Sequence, residues 1–418
     1  MGKTVLSVLQ RGFSVPIRDS LWGHIYLTPE LAALTVSPPF MRLNRIFQLG
    51  PAYCVYPGAT HTRAGHSIGV YYLSRRLLIN LCERGASWLN PQGALSFLCA
   101  ALFHDLGHFP YAHSLKELPL ADHEKLGGEI IMTEPLKSLI GKTGADPALT
   151  AAIVDKTGDD RGNGELVFFR RLLSGVLDPD KLDYLNRDAR YCGVPYGAQD
   201  VDFIYSRLSP HRERGVEIDS RGIPSVESIL FSKYLMYRTV YWHRQIRSAT
   251  AMIKTALLAG LKKGVIVPED LYNLDDQGLF SMMGEKNFAP FSLAGLVQDG
   301  KLFTQAASFP FDGEKHEALR CIKNRALHEE ALAAEIRRVT GKNIPGESLI
   351  IDLGERVSFE TDLFVRDEGA SFGESSSAFK EGVLAAFVNS LQMVRIFTAE
   401  PVEISMDVLN NTEKWLNL

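Results

Sequence analysis

The sequence predicts a mainly α protein: a helical core over residues 1–265, followed by a smaller α+β region over residues 266–418. Three observations carry that prediction. Long stretches in the first part repeat apolar residues at spacings of three and four, the period of a helix with one face buried. Proline and glycine stand at the starts and stops of those stretches rather than inside them. Short β-branched runs, the signature of strands, gather late in the chain.

The elements follow in order. "SIGVYYLSRRLLINLCERG", Ser67 to Gly85, has helical periodicity and a glycine stop. "PQGALSFLCAALFHDLGH", Pro91 to His108, opens on proline and reads as a buried helix that carries its polar residues at the far end. "GVEIDSRGIPSV", Gly215 to Val226, alternates around Ser-Arg-Gly and predicts a hairpin. Val226 to Gly264 reads as one long helix, with its aromatics "YLMYRTVYW" in the core. "SLIIDLGERV", "DLFVRD" and "MVRIFTAEPVEI" predict late strands, which offer a contact surface between copies. Asp367 to Gly382, rich in Gly and Ser, reads as a mobile loop.

Composition narrows the function classes. With 45% hydrophobic and 22% charged residues among 418, the chain has material for a large core. A net charge of -4 gives no global pull toward nucleic acid or anionic membrane, so any anion site must be local. Five scattered cysteines, none in a CxxC pair, predict neither a disulfide framework nor a thiolate zinc site. The opening residues lack an apolar h-region with a cleavage site, and no stretch has the length of a bilayer span, so a cytoplasmic protein without membrane contact is expected.

Chemistry concentrates in "FHDLGHFPYAH", Phe103 to His113. Helical spacing would place His104 and His108 on one face with Asp105 beside them. Imidazole nitrogen and carboxylate oxygen suit a divalent first-row metal, but a His-Asp doublet cannot complete a coordination sphere. His66, at the opening of the Ser67 helix, and Asp180 in "LDPDKLDYLNRDARYCGV" are the outstanding additional candidates. His24, His61, His211, His316 and His328 read as core or capping residues. Arg238, His243, Arg244 and Arg247 form a basic stripe that fits a triphosphate and a solvated helix face equally well.

The order His66, His104-Asp105, Asp180 resembles the H…HD…D signature of the HD phosphohydrolase superfamily. The flanking text, "FQLGPAYCVYPGATHTRAGHSIGV", "FHDLGHFPYAHS", His123-Glu124 and "DPDKLDYLNRDARYCGV", is similar to its deoxynucleoside triphosphate triphosphohydrolase branch, which includes the dGTP triphosphohydrolases. The resemblance runs from about Ile17 to Val194. It implies an HD-domain helical core and a divalent metal, Mn, Fe, Mg, Co, Ni or Zn, on His66, His104, Asp105 and Asp180. It implies that Gln48 and Leu49 face a deoxyribose, Arg63 and Lys181 meet phosphate, and Tyr184 and Asp188 hold the sugar. It gives His108, His113 and the His123-Glu124 pair to proton transfer and α-phosphate positioning, Glu124 keeping His123 oriented and protonated.

The implied reaction is hydrolysis of a dNTP to deoxynucleoside and triphosphate, in a homo-oligomer, dimer or tetramer. Some relatives assemble around a guanine-nucleotide activator. Here Val36 replaces the acid that reads guanine, Asn44 an arginine and Arg18 an asparagine, so a guanine-specific activator is not expected. The HD fold hosts several activities, which leaves two alternatives: hydrolysis of a mono-, di- or cyclic nucleotide, or a non-catalytic nucleotide-binding module.

Overall fold

The computed structural model describes residues 4–416 apart from 161, 346–347, 377 and 412–414. The fold is mainly α, with three small sheets. Two antiparallel hairpins lie within the region expected to be all helix. β1 (Val15–Asp19) pairs with β2 (Gly23–Leu27), and β3 (Leu208–His211) pairs with β4 (Gly215–Ile218). The predicted hairpin around Ser-Arg-Gly is therefore misplaced. The turn falls between His211 and Gly215, while Ser220–Gly222 is a short 3-10 turn leading into a helix.

Four helices hold the site. α1 (Arg63–Glu83) starts before the predicted Ser67, because Thr62 supplies the N-cap oxygen, so His66 lies in its first turn. α2 (Pro91–Phe103) is capped by Asn90, whose Oδ1 accepts from Gly93 N at 2.7 Å. From Ser96 onward every residue of α2 is buried, with Phe97 stacked on Phe169 at 5.1 Å. The helix ends at Phe103, five residues short of the predicted end, so His104 and His108 do not share a helical face. α3 (His123–Ile131) and α4 (Pro179–Cys192) each begin on an aspartate cap, Asp122 and Asp178, and each brings site residues in on its first turn.

The predicted Val226–Gly264 helix is broken. α5 (Ile223–Met236) continues into a π-type turn at Tyr237–Tyr241, and α6 (Arg244–Lys262) restarts after Trp242. The break disperses the basic stripe. Arg238 and Arg244 are exposed, whereas Arg247 is 2% exposed and clamps Asp352 with Nε at 2.9 Å and Nη2 at 2.7 Å.

Strands form in the three late runs expected to hold them, β6 (Leu349–Leu353), β7 (Phe364–Val365) and β9 (Met393–Thr398), and two further strands, β5 (Thr304–Pro310) and β8 (Ala370–Ser371), were not expected. β9 is central in an antiparallel sheet of order β5-β9-β6. β7 lies parallel to β4 and extends the second hairpin. The segment read as a mobile loop is structured in part: it includes β8 and a helical turn whose Phe372 is fully buried. The main core contains Leu363, Val365, Phe372 and Phe379, so late residues pack into the early helices. Among the described residues no helix is long and apolar enough to cross a membrane.

Candidate metal centre and pocket

His66, His104, Asp105 and Asp180 converge. His66 Nε2 lies 3.0 Å from Asp180 Oδ1 and 4.0 Å from Asp105 Oδ2. His104 Nε2 lies 3.7 Å from Asp180 Oδ1 and 3.4 Å from Asp105 Oδ1. The outer nitrogens of both imidazoles are spoken for: His66 Nδ1 donates to Asp183 Oδ2 at 2.8 Å, and His104 Nδ1 donates to the Ala101 carbonyl at 2.9 Å. Those bonds set the tautomers, so two Nε2 lone pairs face one another at 3.3 Å beside two carboxylates. A focus made only of acceptors needs a cation. The mixed N/O set fits a divalent metal, and its identity stays open within that donor class.

The electrostatics agree. Burial opposes protonation of His66, but its bonds to Asp180 and Asp183 more than offset this and push it up to about 10. Burial raises Asp105, yet His104 and Arg63 hold it well below the carboxylate range. The His66 shift expresses the negative charge of its carboxylate partners, and the Asp105 shift the positive charge of the imidazole and guanidinium beside it.

A second layer holds the first. Asp183 accepts from Trp22 Nε1 at 2.5 Å and from Arg187 Nε at 2.7 Å, and Arg187 Nη1 donates to Asp19 at 2.9 Å. Gly69 makes room for this: a Cβ there would collide with Asp183 and Arg187.

Beyond Asp105 the chain turns back. The turn uses Tyr111, in the left-handed region at φ 62°. Gly107 serves close approach, since a Cβ would run into the His123 carbonyl and the Gly127 amide. The result is a trio of imidazoles, with His108 Nε2 3.0 Å from His113 Nε2 and the His108 and His123 rings 3.9 Å apart. Burial first, then the cation Arg63, drives His108 well below its ordinary value; burial also lowers His123. Glu124 does not orient His123: its Oε1 accepts from Lys156 Nζ at 2.6 Å, and the structure departs there from the expected pairing.

His66, His104, Asp105 and Asp180, together with His113 and His123 of the trio, line one cavity of about 510 Å³, and His108 is fully buried. Gln48 and Leu49 form part of its wall, and Gln48 Oε1 is a buried acceptor without a partner among the described residues. Arg63 is 4% exposed with Nη1 spent on Asp105 at 2.6 Å, so it braces a ligand rather than standing as a free cation. Lys181 Nζ donates to Gly175 O at 2.8 Å and Asp178 Oδ2 at 2.9 Å. Tyr184 lines the cavity beside Asp188, whose oxygens engage His61 Nε2 at 2.8 Å and Tyr241 Oη at 2.7 Å.

His61 therefore has a site-supporting place that the sequence reading did not give it. Tyr241 and Lys233 are also wall residues that it missed. Asp183 carried a weak signal, one helical turn after Asp180 on the same face; Lys233 carried none. His316 and His328 are buried structural residues, the latter bonded from Nδ1 to Trp415 O at 3.1 Å.

A helical core brings two histidines and two aspartates to one point, the arrangement expected of an HD domain. Residues 63–154 match the HD domain, and residues 207–380 match the HD associated region, which crosses the expected boundary at 265. The resemblance to HD-domain phosphohydrolases of the dNTP triphosphohydrolase-like branch holds. The chain is 38% identical over 245 residues to the uncharacterized protein YwfO of Bacillus subtilis, covering 58% of this chain and 53% of that one. It is 28% identical over 296 residues to human deoxynucleoside triphosphate triphosphohydrolase SAMHD1, covering 61% and 47%. The chain spans about half the length of these curated relatives. A crystal structure of a hypothetical protein from Aquifex aeolicus superimposes with a TM-score of 0.71 at 25% identity, covering 92% of this chain and 96% of that one.

Proposed function

We propose that the chain is a metal-dependent phosphohydrolase that converts a deoxynucleoside triphosphate and water to a deoxynucleoside and triphosphate. The observation that carries this reading is the joining of the His66–His104–Asp105–Asp180 focus and the His113 and His123 imidazoles, backed by His108, in one cavity. The name of the SAMHD1 relative supplies the substrate class.

His66, His104, Asp105 and Asp180 would hold the metal, which when bound would lower the pKa of a water and neutralise phosphoryl charge. The chain's own residues do the rest. Arg63 keeps Asp105 ionised and adds positive charge at the reacting phosphate. The leaving 5′ oxygen needs a proton, which His113 or His123 at the cavity wall would pass to it, and the close imidazoles resist charging together. Gln48 Oε1 offers an acceptor to a sugar hydroxyl, with Tyr184 and Asp188 completing that end.

The test is a panel of dNTPs, rNTPs, monophosphates and cyclic nucleotides with the metal-loaded chain, products separated by chromatography. Deoxynucleoside with triphosphate is the expected outcome. Pyrophosphate or single phosphate as the leaving product sinks it in favour of another nucleotide hydrolase, and tight binding without turnover makes the chain a binding module. The same reading places a dimer or tetramer in the cytoplasm, with any nucleotide activator not selective for guanine; light scattering with and without each nucleotide checks the assembly.

A further inference from the structure

The segment between β6 and β7 is a strap along the cavity, where Glu355, Arg356, Val357, Ser358 and Glu360 join its wall. Its start is anchored: Glu355 accepts from Arg247 Nη1 at 2.9 Å, and Val357 is buried against Tyr234, Trp242 and Leu391. Its end is anchored where Leu363 is buried and β7 pairs with β4. Between these anchors the strap meets the cavity's cations. Lys233 is 6% exposed, and among the described residues its hydrogen-bond acceptors are both strap atoms, Ser358 O at 2.7 Å and Glu360 Oε2 at 3.1 Å. Lys181 Nζ lies 3.6 Å from the same Glu360 oxygen. A carboxylate thus sits between two lysines in the wall of a cavity read as taking phosphate.

We infer that Glu360 is a built-in competitor for the anionic end of the ligand: the strap seats its carboxylate between Lys181 and Lys233, and an entering polyphosphate must displace it. This rests on the reading that the cavity takes nucleotide phosphates. The physical ground is that a buried ammonium requires an anionic or polar partner, and the strap supplies one whenever the ligand does not. Burial opposes ionisation of Glu360, but the two lysines press it down to about 2, so the competitor keeps its charge across the physiological range. A ligand carrying several phosphate charges out-competes one carboxylate; a ligand carrying few does not. The strap then acts as a charge threshold on what enters.

The test titrates inorganic tripolyphosphate into the metal-loaded full chain by calorimetry. Glu360→Gln keeps the shape and removes the charge, and it is expected to tighten tripolyphosphate binding roughly fivefold to tenfold. Glu360→Asp, which retracts the carboxylate by one methylene, should fall between it and the parent. In a Lys233→Gln background the gain from Glu360→Gln should shrink to less than about twofold, because the contested cation is gone. Unchanged or weaker binding by Glu360→Gln overturns the inference, as does an equal gain without Lys233. Failure of the dNTP product assay on the parent chain would instead remove the nucleotide reading, so the two failures are separately visible.

Discussion

Asp183 shows what a single residue contributes without touching the chemistry. Its carboxylate, 2.8 Å from His66 Nδ1, keeps the proton on that nitrogen and aims Nε2 at the metal focus. Asp183→Asn is expected to lower metal affinity roughly 10- to 100-fold, the usual weight of a residue bonded to a ligand histidine. Metal retained against a chelator series reads this directly, and full retention would show that the Asp183 charge is not needed to hold the His66 ring in place. Asp105→Ala, by contrast, removes a ligand and should abolish both metal and turnover; full metal occupancy in that variant would overturn the ligand set. The difference between these residues is also the limit of what the sequence displays. The convergence of His66, His104, Asp105 and Asp180 was legible because the chemistry of a metal site restricts residue type and order. Asp183, His61 and Lys233 were not, because their places come from which helix faces which, and an aspartate or lysine on a helix looks the same whether it is solvated or buried.

At the scale of the element, the turn from α2 into α3 decides the geometry of the histidine trio. Gly107 is packed against backbone, the His123 carbonyl and the Gly127 amide, which cannot yield as a side-chain tip can. Gly107→Ala is therefore expected to cost about 1–3 kcal/mol of stability and to push His123 away from His108, with turnover falling further than the melting temperature. Gly141 lies inside the Leu136–Lys142 helix, where an added methyl group would meet nothing within 4 Å. Gly141→Ala should be neutral or stabilising by up to about 1 kcal/mol, through reduced freedom of the unfolded chain. Paired thermal melts check the opposite signs. Periodicity located the helices but not their ends: α2 stops at Phe103 because the chain beyond must turn to bring Asp105 and His108 inward, and the Val226–Gly264 stretch breaks at Trp242, whose ring is buried against the strap. In both places the site overrides the local pattern.

On the scale of the whole molecule, the C-terminal sheet is tied to the helices around it through buried ionisable groups, and one of them predicts a pH dependence. Glu329, 8% exposed, accepts from the Ile351 amide at 2.9 Å, linking the Arg325–Thr340 helix to β6. Burial pushes its carboxyl up to about 7, with the Ile351 bond opposing. Because the folded value is raised, the folded state holds a proton that the unfolded chain has already released once the pH exceeds the ordinary glutamate value of about 4.5. Its contribution to stability is present in full below that pH, declines as pH rises toward 7, and is gone above. Across that window the loss amounts to about 3 kcal/mol at most. Other groups titrate in the same range, so the measurement is the difference between the parent chain and Glu329→Gln in denaturant unfolding at a series of pH values. Glutamine stays neutral and retains an amide oxygen for Ile351, so the variant should gain on the parent steadily from pH 5 to pH 7.5 and hold a constant advantage above that. A difference that does not change with pH would mean that Glu329 is solvated in the folded chain, and that the sheet sits more loosely on its helix than the buried contact between them implies.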